Sequence, residues 1–435
     1  MGDNPHTHFD ATHHDDDVAF GPFKFLNPTT RRVPLEYARN NVKGRTTPPQ
    51  ENGKEIVGKT GLGNAGDVRA ADVHRKWRSR DNRKGRHAIS VKPSAAHTVP
   101  RSTSRPRAVL RGILRMFTSY PYYDVSYLVA AIFTIGSVVW VINAFFVWLP
   151  LEKPSTEFSG EIEDAGGITA FIGATIFEIG SVFLMLEAIN EDRTGCFGWA
   201  VEEVWEEEEG RLGMKLEKGN CRHHHGNKRN LVGKGKEVEV GEQSTSWLHI
   251  IYHCKTSKDP TAARSWQWWP SMHALRTQYL HNIGFLACSF QMLGATIFWI
   301  AGFTALPPIF NRLTSTAAQN GAYWLPQVIG GTGFIISGAL FMLETQKNWW
   351  LPAWGTLGWH IGAWNLIGGI GFTLCGALGF GSANSGVAYE ASLATFWGSW
   401  CFLIGSVIQW YESLEKYPVE VEDFGTKDVK NGGEK

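Results

Sequence analysis

Ile172–Glu187, IGATIFEIGSVFLMLE, is written again without a gap as Ile329–Glu344, IGGTGFIISGALFMLE, and as Trp397–Glu412, WGSWCFLIGSVIQWYE. Each copy has a Gly followed by a small residue (Gly173-Ala174, Gly330-Gly331, Gly398-Ser399), an aromatic three residues later (Phe177, Phe334, Phe402) and a closing acid (Glu187, Glu344, Glu412). Each sits in an apolar run of the length a helix needs to cross about 30 Å of hydrocarbon at about 1.5 Å per residue.

Working outward, the chain holds six such runs, at 125–149, 168–188, 283–306, 323–343, 357–380 and 391–411. The odd-numbered runs carry the same mark: Gly136-Ser137 before Trp140, Gly294-Ala295 before Phe298, and Gly368-Gly369 before Phe372. The repeating unit is therefore a helical hairpin, in segments 125–190, 282–347 and 348–416. We expect an all-α membrane protein of six transmembrane helices arranged as three tandem helical hairpins, with a disordered N-terminal arm. Repeats of one orientation are related by an axis along the membrane normal. The Gly-small pairs at Gly136, Gly173, Gly294, Gly330, Gly368 and Gly398 read as packing seams, since transmembrane helices associate through close backbone approach. Glu187, Glu344 and Glu412 read as helix-end anchors bonding a neighbouring hairpin.

Averages conceal this plan. With 435 residues and 43% hydrophobic content the chain resembles a soluble protein, because polar segments dilute the apolar ones. Residues 1–103 lack apolar periodicity and are rich in Pro, Gly, Ser, Arg and His, a composition expected to stay disordered. Within them Arg75–Arg86, RKWRSRDNRKGR, has seven basic residues in twelve, which suits a solvated tail, anionic lipid or an acidic protein partner. A nuclear address, and with it a nucleic-acid partner, is discounted for a membrane-bound chain. In 104–124, Arg107, Arg111 and Arg115 oppose Leu110, Ile113, Leu114 and Phe117, the pattern of an interfacial helix, and Tyr120, Tyr122 and Tyr123 form an aromatic belt. The segments 191–281 and 417–435 read as a partly disordered insertion and a disordered tail. Trp266-Gln267-Trp268-Trp269-Pro270 and Asn348-Trp349-Trp350-Leu351-Pro352 read as interfacial anchors. Lys and Arg concentrate before the first run and between the second and third, so the positive-inside rule places both termini in the cytoplasm, in a plasma membrane or an endomembrane.

The chain is sparing with catalytic signals. No HExxH, GxSxG, Walker or paired-carboxylate pattern stands at a membrane face, which leaves an enzyme as the third reading. His6, His8, His13 and His14 beside Asp10, Asp15, Asp16 and Asp17, and Cys221 beside His223, His224 and His225, read as polar surface rather than metal sites. No cofactor is expected. Glu178 breaks the repeat, because the other copies hold Ile335 and Leu403 there, and a carboxylate near mid-membrane is expensive unless paired or wet. Counted from the helix starts, Glu178, Gln291 and Asn365 share a depth of about 12 to 14 Å. We expect them to line one polar level inside the bundle; the alternative for Glu178 is a protonated carboxyl that bonds a neighbouring helix. The leading function is then channel-like or transporter-like passage of a small solute or ion. The alternative is a membrane scaffold or sensor whose arm and insertion bind partners or anionic lipid.

Leu293-Gly294-Ala295-Thr296-Ile297-Phe298-Trp299 and Gly330-Gly331-Thr332-Gly333-Phe334, with the Trp-rich helix approaches, resemble a group of uncharacterised fungal integral membrane proteins whose two-helix units are similar to the YrhK-like domain. The resemblance covers about 120–418. It implies a fungal origin and the hairpin fold, and carries no functional residues.

Overall fold

The computed structural model describes residues 18–34, 73–93, 102–191, 193–198, 201 and 266–421. Among these, six helices are long and apolar enough to cross a membrane. They are α3 (Val125–Glu152), α4 (Gly167–Ile189), α5 (Ile283–Thr304), α6 (Leu325–Glu344), α7 (Leu357–Gly379) and α8 (Ser385–Leu414). Local chemistry sets several of the starts. Asp124, Asn282 and Asn384 each accept a bond from a first-turn backbone N–H, satisfying donors that have no partner within the helix. The Asn384 cap starts α8 six residues before the apolar run at 391. That first turn stands clear of the apolar zone, where Tyr389 donates to Glu152 at 2.7 Å.

The three hairpins are α3–α4, α5–α6 and α7–α8. Each helix packs on its sequence neighbours, and α8 returns to α3, so the six form a closed ring in chain order. Leu293, Ile135, Ile329 and Ile168 are among the apolar side chains left exposed on its outside, as a lipid-facing wall requires. The axis is filled by the repeat aromatics. Trp140 meets Phe372 edge-on at 4.9 Å between centroids, Phe177 meets Phe402 at 5.6 Å, and Phe298 meets Phe334 at 5.6 Å. The glycines make this possible: a Cβ on Gly173 would strike the Trp140 ring, one on Gly136 the Phe177 ring, and one on Gly368 the Phe402 ring. Gly330 sits against Phe298, Gly294 against the Gly330 carbonyl, and Gly398 against Gly371 and Phe372. Every helix thus donates one aromatic to the axis and one glycine to a neighbour.

Within the arm, residues 18–34 and 73–93 are ordered, which departs from the expectation of disorder there; the rest of 1–101 lies outside the described residues. β1 (Val18–Phe20), β2 (Thr30–Pro34), β3 (Val73–Arg78), α1 (Ser79–Arg83) and β4 (Ala88–Val91) fold against one end of the ring. The tail adds β5 (Val419–Val421), giving one five-stranded sheet in the order β1-β2-β3-β4-β5, antiparallel except for the parallel β4–β5 pair. Its register sets Ile89 opposite Val419 and Ser90 opposite Glu420. These strands have too little apolar surface to hold a core of their own, and they order because the bundle end supplies both core and counter-charges. α2 (Pro106–Met116) lies beside α8, with Gly112 beneath Tyr411, while Leu110, Leu114 and Phe117 project outward as an interfacial helix requires. Trp269, Trp349 and Trp350 are likewise exposed, whereas Trp266 is buried against Phe197.

Phe372 is fully buried at the axis, and Ile135 lies on the outer wall. Phe372→Ala should therefore destabilise the bundle by about 3 kcal/mol or more, and Ile135→Ala by under about 0.5 kcal/mol. Denaturant unfolding of the purified protein in detergent measures both.

Candidate functional site

The helix-end acids of the three repeats lie at the arm end of the ring and are 0–2% exposed. Carboxylates so far from water need cations, and none is available on their own helices. The arm delivers them. β3 runs to the mouth of the bundle, α1 turns the chain across it, and the loop to β4 brings it back, so one short segment presents Arg80, Arg83, Lys84 and Arg86 to the interior.

Each repeat receives its own partner. Arg83 forks onto Glu344 from both terminal nitrogens, at 2.8 and 2.9 Å, and its Nε reaches Glu187 at 3.4 Å. Arg80 forks onto Glu412 through Nε and Nη2, at 3.1 and 2.7 Å. Lys84 bonds both oxygens of Glu187, at 3.2 and 3.4 Å. Arg86 bridges Glu412 and Asp81, and Ser79 donates to Glu344 at 2.9 Å. Bidentate guanidinium–carboxylate pairs add direction as well as charge. Two glycines at equivalent helix starts make room: a Cβ on Gly284 would collide with Arg83 and Glu344, and one on Gly358 with Arg80. Burial disfavours the charged guanidinium of Arg80, yet Glu412 more than offsets this and holds it above the ordinary arginine value. Glu344 does the same for Arg83. The Lys84 ammonium is pushed down by burial further than Glu187 pulls it up, which makes it the weakest of the three pairs.

A second tier fastens the tail to the arm and to the start of α3. Arg78 forks onto Glu420 at 2.6 and 2.7 Å, Lys76 reaches it at 2.7 Å, and Lys416 joins Asp124 at 2.6 Å. Asn82 and Asn282 share Glu191, at 2.9 and 2.8 Å.

Beneath the cations lies a cavity of about 30 Å³, room for about two waters. Gln291 and Asn365 line it together with Gln409, as the expected polar level requires of the first two. Glu178 is not among its lining residues. A helix advances about 100° per residue, so Glu178 is turned well away from Phe177, its neighbour at the axis. It points into the outer seam between α4 and α5, where Thr296 donates to Oε1 at 3.0 Å while Oε2 is buried with no partner. The small residues Ala174 and Ser181 face the core, and Glu178 lies at the edge of their face. His6 to Asp17 and Cys221 to His225 lie outside the described residues.

No known protein family, curated protein or solved structure matches this chain.

Two tests follow. Glu344→Leu leaves Arg83 with only its 3.4 Å contact to Glu187 and should cost about 3–5 kcal/mol, while adding Arg83→Met should recover most of that loss; thermal unfolding of the wild type, the two single variants and the double variant gives the coupling. Glu420 tests the second tier. Burial alone would raise its carboxyl, but Arg78 and Lys76 hold it down at about 2. Its contribution is then complete above the ordinary carboxyl value of 4.5 and disappears as pH falls towards about 2. Pepsin cleavage around residues 414–421 should rise over that window, and in Glu420→Gln it should be high throughout.

Proposed function

We propose that this multi-pass membrane protein is a closed scaffold, whose six-helix ring holds its own arm and tail as a folded cap on the cytoplasmic face. The observation that carries the reading is the axis: six aromatic side chains, one from each helix, interlock where a pathway would run. Above them, four arm cations fill the mouth. The cytoplasmic assignment of both termini rests on the distribution of Lys and Arg, which places the insertion between α4 and α5 on the same side, where it is free to meet protein partners. Because Lys76, Arg78, Arg80, Arg83, Lys84 and Arg86 are engaged within the protein, attraction to anionic lipid falls to α2, where Arg107 and Arg111 are exposed beside its apolar face. The hairpin repeats resemble the two-helix YrhK-like units of fungal membrane proteins, and on this reading they serve as the scaffold's building block.

One observation favours the second reading, channel-like or transporter-like passage of a small solute or ion: the polar cavity directly beneath the cap. In that reading the arm is a plug that leaves. Solute and ion flux in proteoliposomes separates the two. The scaffold reading expects no flux above protein-free vesicles, either in the wild type or in Arg80→Ala with Arg83→Ala reconstituted as a folded bundle. Flux in the double variant would establish the plug. If flux appears, its dependence on Glu178→Gln tells whether the α4–α5 seam takes part.

A further inference from the structure

The cavity occupies one layer of the repeat. Phe133, Gln291 and Asn365 stand at the same position of α3, α5 and α7, three residues before the packing glycine, and Leu184, Phe341 and Gln409 stand at the same position of α4, α6 and α8, seven residues after the axial Phe. All six line it. At this level the first hairpin is apolar on both helices, whereas the second gives Gln291 and the third gives Asn365 and Gln409. Packing alone calls for no amides here, as the first hairpin demonstrates.

Gln291 and Gln409 are each 7% exposed, and neither has a hydrogen-bond partner among the described residues. Both residues are buried and line the cavity, so their unbonded amides face its space, a costly arrangement unless something there accepts or donates. The charged groups on the wall are Arg80, Arg83 and Lys84, and no carboxylate is among the lining residues. Glu187, Glu344 and Glu412 take up part of these cations' hydrogen-bonding capacity, yet a guanidinium has five N–H donors and Glu412 receives bonds from only two nitrogens of Arg80. The site is therefore rich in donors, with cations on one side, amides around the middle, and Phe177 and Phe402 as a dry floor. A species supplying acceptors only, small enough for about 30 Å³, matches it. We propose that the cavity is a binding site for a small monovalent inorganic anion of halide size, held between the arm cations and the amides of Gln291, Asn365 and Gln409.

The anion ties arm to bundle, since its ligands come from both. It is independent of whether the ring conducts, and flux results do not bear on it. The probe is chloride, with gluconate, too large for the cavity, as the comparison at equal sodium and ionic strength. For the full-length protein in nanodiscs, the melting temperature should rise by at least about 2 °C in chloride and saturate with concentration. In Gln291→Leu with Gln409→Leu that difference should vanish. Equal melting temperatures in the two salts, a rise that grows without saturating, or one that persists in the double variant, would overturn the proposal. If the double variant does not fold, retention of radiolabelled chloride by the wild type decides. About one ion per chain displaced by bromide but not gluconate supports the site, and no retention refutes it.

Discussion

A carboxylate buried at the end of an apolar helix has to find a cation, and the rest of this architecture follows from three such carboxylates. Glu187, Glu344 and Glu412 close the returning helix of each hairpin, out of reach of water. Nothing in the membrane region neutralises them. The chain resolves this by sending residues 79–86 back across the bundle, and that crossing determines where β3 ends and β4 begins. β4 in turn offers an edge on which the tail pairs as β5. The small sheet, the buried arm and the anchored tail are thus consequences of one electrostatic requirement. Removing either member of a pair leaves its partner charged in a low-dielectric site, which is why such interactions specify a structure more than they stabilise it relative to an apolar alternative.

The bundle is layered, and its layers differ in how strictly they repeat. At the axis all six helices contribute an aromatic, with glycines opposite, so that layer is pure packing. At the arm end all three returning helices contribute Glu, and the arm answers with side chains that are not equivalent: two arginines in bidentate pairs and one lysine in a looser one. Between these lies the layer in which the hairpins diverge, with Gln291, Asn365 and Gln409 on two of them and none on the first. Where a repeat holds, the residues serve geometry. Where it breaks, they are free to serve something else.

The hairpin fold was legible because its determinants are local: run length, the Gly-small pair and the aromatic three residues on all lie within one helix. The amides Gln291 and Asn365 were also legible, since depth can be counted along a helix. For Glu178 depth left two readings open, because it says nothing of azimuth; a residue one step from Phe177 already faces a different neighbour, and here it bonds Thr296 of the next helix. The ordered part of the arm is not legible for another reason. Arg80 and Glu412 stand 332 residues apart, and Arg83 and Glu344 stand 261 apart, so no window contains both. A signal existed nonetheless. Three acids ending apolar helices without a local cation form a deficit, and a run of seven basic residues with no local acid but Asp81 is the matching excess.

Residues 73–91 are built into the end of the bundle rather than extended from it. Hydrogen–deuterium exchange of the unmodified protein in nanodiscs tests this directly. Backbone amides from Arg80 to Arg86 should be protected to a degree comparable with the ends of α4, α6 and α8. Exchange there at the rate of an unstructured chain would contradict it.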